Sequence, residues 1–301
     1  MLDKRHQAAY ILTMNMLPFE KRRQILHLMV EGNSIRGIAR LVDVSPVTVL
    51  RYLELAGKAC LKFHEENVRN VHSKQIQCDE VWSFNYCKKA SLKAAKAAPE
   101  HAGDVLTWTA IDDSKLIVTW LISDRSFEAA TLFMQDLAQR IAEDAKDDLQ
   151  ITTDGLLSYK AAVPLQFGHR GHFAQLVKHY SEAPDKGHAR KYSPGICTGI
   201  KKMAVYDTPD VAHVSTSYVE KHNQTMRQHM KRFGRLTAAH SKKIENHAHM
   251  VALYTVWYNF ARINSAVRMS PAMAAGLETR LWDVADIVNL IEMAKPASLV
   301  D

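Results

Sequence analysis

The middle of the chain changes its hydrophobic period, and that change limits the possible folds more than any other feature. The runs IQCDEVWSFNYC (76–87), DVLTWTAID (104–112) and LIVTWLISD (116–124) are rich in β-branched and aromatic residues and are separated by short polar stretches. They predict an antiparallel meander. From Ser126, SFEAATLFMQDLAQRIAEDA switches to a period of 3.6 and places Ala129, Leu132, Phe133, Leu137 and Ile141 on one helical face. DLQITTDG then predicts a short buried strand ending in a polar turn. Three strands, a helix and a further strand define an α/β chain with a mixed sheet flanked by helices.

Ahead of the sheet, the pattern from Phe19 to about Ala59 is helical. FEKRRQILHLMVEG turns Ile25, Leu28 and Met29 inward and stops at Gly32. In SIRGIARLVDVSPVTVLRYLELAG, Ser34 caps a helix with an inner face of Ile35, Ile38, Ala39 and Leu41. A tight turn follows at Val42, Asp43 and Val44. Ser45 then caps, and Pro46 opens, a second helix carrying Val49, Leu50 and Leu53 inward. This is the pattern of a helix-turn-helix, whose second helix enters the major groove and would aim Ser45, Thr48 and Arg51 at DNA. An ordinary helical hairpin with a basic surface shares the apolar pattern, so the charge distribution decides between them.

The net charge of the 301 residues is +7, spread as +5 over 1–74, −2 over 75–219, +7 over 220–268 and −3 over 269–301. Two basic segments flanking an acidic middle fit surfaces facing a polyanion around a cluster of carboxylates, and nucleic acid is the expected polyanion. No apolar run approaches the ~18 residues needed to cross a bilayer. The start MLDKRHQAAY lacks a signal peptide's apolar core, so a cytoplasmic protein without a membrane partner is expected. Cys60, Cys78, Cys87 and Cys197 form no CxxC pair and read as reduced thiols.

Farther on, residues 161–212 read as an insert with one or two strands and a loop. Thr216–Arg235 reads as a helix, HSKKIENHAHMVALYTVWYNFARIN as a longer one, and Ser270 with Pro271 as the start of another. The domain expectation is a helical DNA-binding region over 1–72, a sheet domain over 73–268 and a C-terminal helical segment over 269–301.

Two acids stand where strands finish. Asp79 is in the first strand and Asp154 just after the fourth, and a parallel fourth strand would lie beside the first. Like charges brought together ask for a cation, and an all-oxygen donor set suits magnesium or manganese. Glu220 is the candidate third acid, since 220–268 holds only it and Glu245. Asn223, Arg227 and Lys231 recur with it at helical spacing beside an apolar stripe of Val219, Met226, Met230 and Phe233. Asp112 and Asp113 read instead as a hairpin turn, and Asp124 as a helix-leading loop. The four histidines His169, His172, His179 and His188 lack companion ligands and read as surface residues rather than a zinc site. Trp82, Trp108 and Trp120 read as core.

The stretches CDEVWSF, TTDGLLSY and STSYVEKHNQTMRQHMKRFGRLTAAHSKK, with Asn246, YNFARIN and SPAM, resemble the transposases of the IS-one type of bacterial insertion sequence. The resemblance covers roughly 34–275, and YVE-x-x-N-x-x-x-R is its most specific block. It implies an RNase H-like fold with a DDE triad of Asp79, Asp154 and Glu220 holding Mg2+ or Mn2+. It also implies Arg227, seven positions after the glutamate, near DNA. Ser45, Thr48, Arg51, Asn223 and Lys231 complete the expected DNA-binding set. The expected partners are element ends, target DNA and further copies of the chain as a homo-oligomer. The family often carries a cysteine zinc-binding element ahead of its helix-turn-helix, and residues 1–33 hold no cysteine. Two other readings share these residues: a DNA-binding regulator with an inactive RNase H-like body, and a metal-dependent nuclease without strand transfer.

Overall fold

The computed structural model describes residues 16–168, 170–181, 196–234 and 237–294. Its first three helices are α1 (Phe19–Val30), α2 (Ile35–Val42) and α3 (Pro46–Asn67). The caps are those the sequence dictates. Ser34 Oγ accepts from Gly37 N at 3.1 Å, and Ser45 Oγ from Thr48 N at 3.0 Å with Pro46 at the first helical position. Asp43 makes the turn between α2 and α3 with a left-handed φ of 55°. The helix α3 outruns its expected end near Ala59 because Cys60 and His64 extend its buried face, and His64 Nε2 donates to the Ile117 carbonyl at 3.2 Å.

The sheet follows with β1 (Gln75–Asn85), β2 (Gly103–Asp112), β3 (Ile117–Ser123), the helix α4 (Phe127–Arg140) and β4 (Gln150–Thr153). Next come α5 (Ser158–Phe167), β5 (His172–Tyr180) and β6 (Cys197–Tyr206). Strand order is β3-β2-β1-β4-β5-β6. The meander β1–β2–β3 is antiparallel, β4 runs parallel to β1, β5 parallel to β4, and β6 closes antiparallel. A meander whose first strand lies centrally, with a helical crossover to a parallel strand on its other side, is an RNase H-like arrangement.

Each face of the sheet has its own cover. On one, Trp108 packs against Phe133 of α4 and Tyr159 of α5, with ring centroids 5.7 and 5.4 Å apart. On the other lies α6 (Ser217–His229), whose first backbone N–H groups, at Tyr218 and Val219, donate to Gln77 Oε1 at 2.6 and 3.3 Å. The outer edge at β3 is closed by Asn259, which donates to the Ile117 carbonyl and accepts from its N–H, both at 2.9 Å. Asn259 belongs to a π-helical turn, Trp257–Ala261, that continues α7 (Ile244–Val256). After it come α8 (Pro271–Ala274), capped by Ser270, and α9 (Val284–Met293).

Buried apolar residues run without a break from α1 to α9. Helices α3 and α7 cross closely at Gly57, where a Cβ would stand 2.4 Å from His249 Cβ. Phe63 of α3 meets Phe260 and Trp282 at 5.1 and 4.9 Å, and Arg22 of α1 pairs with Glu292 of α9. The N-terminal helices are therefore packed onto the body through a shared core.

Several expected positions shift. Leu41 and Leu132 are 61% and 52% exposed, because the buried stripes run Ile38, Ala39, Val42 in α2 and Ala129/Ala130, Phe133/Met134, Leu137/Ala138 in α4. The helix expected over Thr216–Arg235 stops at His229. There Met230 takes an extended backbone (φ −131°, ψ 98°) and a 3-10 turn, Lys231–Phe233, follows, which sinks both Met230 and Phe233 into the core. Trp108 is core, whereas Trp82 and Trp120 are half-buried. No helix among the described residues is long and apolar enough to cross a membrane.

Candidate active site

The strand β1 runs past β4. Their parallel pairing ends at Cys78 and Thr153, while β1 continues to Asn85. Asp79 and Asp154 are the next residues along the two strands, so they meet at the open end. Side chains alternate along a strand, and Asp79 falls on the α6 side with Gln77 while Glu80 falls on the α5 side with Tyr159. With no strand on the β4 side of β1 beyond Cys78, both reach Asp154. One oxygen each of Asp79, Glu80 and Asp154 lies within 4.8 Å of the others.

Each carboxylate is held in place. Asp154 Oδ1 accepts from Leu156 N at 3.0 Å, and Gln175 Nε2 donates to the Asp154 and Leu156 carbonyls at 2.8 and 3.0 Å. Glu80 accepts from the Tyr159 hydroxyl at 2.7 Å and from Arg125 Nη2 at 3.4 Å. Asn223 of α6 donates from Nδ2 to Asp79 Oδ2 at 2.8 Å.

Burial and then the charge of Asp154 push the Asp79 carboxyl up to about 6, against the opposing hydrogen bond from Asn223. The same two causes push Glu80 up to about 7, against the bond from Tyr159. Cys78 is no competitor, because burial raises its thiol and keeps it protonated. What remains is a hard, all-oxygen donor set with more negative charge than its neighbours balance, which fits a magnesium or manganese ion.

Glu220 lies outside that set of three. It sits one turn before Asn223 on α6, its charge adds to the repulsion at Asp79, and its Oε1 accepts from Lys178 Nζ and from the Thr216 hydroxyl. Asn223, expected at DNA, is instead 3% exposed and committed to Asp79. Arg227 is exposed on α6, two turns beyond Glu220. Lys231 is exposed too, but beyond the end of α6, where it lines a cleft with Arg36, Arg232 and Lys242. Ser45 and Arg51 are exposed at the start of α3; Thr48 is half-buried and its hydroxyl lies 2.9 Å from that of Ser45.

The remaining acids have local roles. Asp112 accepts from Ser114 and Leu116 N within the β2–β3 turn, Asp113 accepts from Ser73, and Asp124 accepts from Ser126 N ahead of α4. His172 stands 2.9 Å from Asp207, His179 is exposed, and His169 and His188 lie outside the described residues. Sequence reasoning missed Glu80 and Lys178. The signal for Glu80 was its place beside Asp79 on a strand longer than its neighbour.

No protein-family profile matches the chain, and no curated protein matches its sequence. Among solved structures it is similar to a pre-cleavage Mos1 transpososome, at 12% identity and a TM-score of 0.23, covering 50% of this chain and 57% of that one. A Mos1 transposase paired-end complex with the left transposon end gives 13% identity, a TM-score of 0.22 and the same 50% and 57% coverage. The Mos1 strand transfer complex gives 12% and 0.23, covering 85% of this chain and 76% of that one. The chain thus spans little more than half the length of the first two.

Proposed function

We propose that this chain is a DNA transposase of the DDE kind, of the insertion-sequence IS-one type, that binds element ends, cleaves them and joins the freed 3′-hydroxyls to target DNA. One observation carries the reading: in an RNase H-like strand order, the carboxylates of Asp79, Glu80 and Asp154 converge within 4.8 Å at the open end of two parallel strands. Asp79, Asp154 and Glu220 are the proposed holders of two magnesium or manganese ions, with Glu80 beside them. When bound, such a pair of ions supplies activation of a water or 3′-hydroxyl and neutralisation of the leaving oxygen.

The chain's own residues do the rest. Asn223 fixes Asp79 from the α6 side, and Tyr159 fixes Glu80 from the α5 side. Arg227 lies on the Glu220 side of α6 and holds a backbone phosphate. Ser45, Thr48 and Arg51 at the start of α3 contact the element end, and two copies of the chain pair two ends.

The test uses the DNA flanking the chain's own coding sequence as substrate, with Mg2+ or Mn2+ added. Metal-dependent cleavage and joining are expected, and both fall on the order of 10³-fold in Asp154→Asn. Cleavage without joining would leave the nuclease, end binding without cleavage would leave the regulator, and full turnover by Asp154→Asn would remove the site.

A further inference from the structure

Lys178 stands where the proposed chemistry has no use for a protein cation. In the parallel register of β4 and β5, Thr153 pairs with Gln175, so Lys178 lies three residues past the end of β4, at the same open end as Asp79 and Asp154. Its ammonium meets Glu220 Oε1, the oxygen that also accepts from the Thr216 hydroxyl. The negative charge of Asp79 reaches it as well, and Tyr180 is its other titratable neighbour. Glu220 is thus occupied by a protein cation while the other three carboxylates gather without it.

That arrangement conflicts with the role given to Glu220 above. An ammonium held on Glu220 Oε1 offsets the charge this carboxylate would offer a divalent ion, and an ammonium beside divalent ions is repelled by them. The pair is exposed enough to part: the side chains of Lys178 and Glu220 are 27% and 42% accessible, and ion pairs at such sites are weak. The anion that DNA brings to the open end of the sheet is phosphate, which binds ammonium groups well.

Building on the metal-site reading, we propose that Lys178 exchanges partners: it neutralises Glu220 while DNA is absent and moves to a phosphate of the bound strand as Glu220 joins the other carboxylates. The cluster of Asp79, Glu80 and Asp154 then takes an ion without help from Glu220, and DNA arrival recruits the fourth acid. Lys178 is a positioning residue in this scheme, touching phosphate rather than the reacting atoms.

The experiment titrates Mn2+ into the full chain, followed by the spin-resonance signal of free Mn2+, and measures binding of a mixed-sequence DNA duplex across a salt series with Mn2+ present. Without DNA, Glu220→Gln is expected to leave Mn2+ affinity unchanged. Lys178→Met is expected to tighten it about threefold by releasing Glu220, and the gain should disappear in the Lys178→Met/Glu220→Gln double variant. On the duplex, Lys178→Met should lower the salt slope by about one, and Lys178→Arg should behave as wild type throughout. An unchanged Mn2+ affinity in Lys178→Met, a gain that survives Glu220→Gln, or an unchanged salt slope would each overturn the exchange alone. Equal Mn2+ affinity in wild type and in Asp79→Asn/Asp154→Asn would overturn the metal site along with it.

Discussion

Arg140, at the end of α4, and Glu80, within β1, are both almost wholly shielded from water, yet their surroundings differ in kind. Arg140 donates to Glu65 at 2.6 Å, to Asp136 at 2.7 Å and to the carbonyls of His64 and Val68 at 3.2 and 3.3 Å. Its charge is matched and its donors are spent on the joint between α3 and α4. Glu80 has one hydroxyl donor, a long contact to the exposed Arg125, and two more carboxylates within 4.8 Å. A buried charge that is fully matched holds a fold together, whereas a group of like charges without enough counter-charge marks a place kept for a ligand.

The contrast is sharpest in the sign of what substitution does. Asp79→Asn or Asp154→Asn should lower metal-dependent DNA cleavage on the order of 10³-fold. The metal-free chain should nonetheless resist urea as well as wild type or better, since a repulsive charge is gone. A large loss of urea resistance would show these acids to be structural after all. Arg140→Met should do the reverse. It should cost about 3 kcal/mol in urea unfolding, the lower end for a broken buried pair because Glu65 and Asp136 are partly exposed. Mn2+ binding by the folded fraction should be unchanged, and loss of Mn2+ binding at full stability would erase the distinction.

A smaller effect follows from pH. Asp79 and Glu80 titrate near 6 and 7 in the folded chain, above the roughly 4 of unfolded carboxylates. Folding therefore holds their protons more tightly; this stabilisation is complete below about pH 4 and is lost as pH rises through 6 and 7. Burial keeps His64, His222 and His247 neutral down to about 3, so they act oppositely and weaken the fold as pH falls below the ordinary histidine value near 6.5. The clean measurement is the difference in Tm between Glu80→Gln and wild type without metal. It should grow in favour of Glu80→Gln from pH 5 to pH 8, and added Mn2+ should shrink it at pH 8; a difference that is flat with pH would place Glu80 among the satisfied charges.

The smallest change is expected at Arg227. Arg227→Ala should weaken duplex binding a few-fold and reduce the salt slope by about one, with Mn2+ binding intact. Loss of Mn2+ binding with an unchanged slope would assign this face of α6 to the metal instead.

Much of this was written plainly in the chain, and the exceptions have physical reasons. The caps at Ser34, Ser45 and Ser270 and the strands carrying Asp79 and Asp154 depend on local chemistry, which sequence reports well. Glu80 depends on β4 stopping at Thr153 while β1 continues, a difference in strand length that no single segment encodes. Lys178 and α5 lie in the stretch whose pattern was weakest; α5 carries Pro164 within it and ends at Gly168, both of which read as breaks. The end of α6 was misplaced because the stripe from Val219 to Phe233 stays buried through a change of backbone at Met230. Asn223 shared the spacing of its helix neighbours, and spacing does not say which of them turns inward to Asp79.

The close crossing at Gly57 has a mechanical meaning. Helix α3 is a rod of 22 residues, about 33 Å long. It is clamped at mid-length against His249 and again near its far end, where His64 bonds to the edge strand. Two grips on one rod resist its swivelling, and they tie the tip bearing Ser45, Thr48 and Arg51 to the body that carries the carboxylates. Under the proposed function this spacing acts as a caliper: if bases are read at the tip of α3 and a phosphate is cut at the carboxylates, one base pair added between them should rotate that phosphate by about a tenth of a helical turn and lower cleavage.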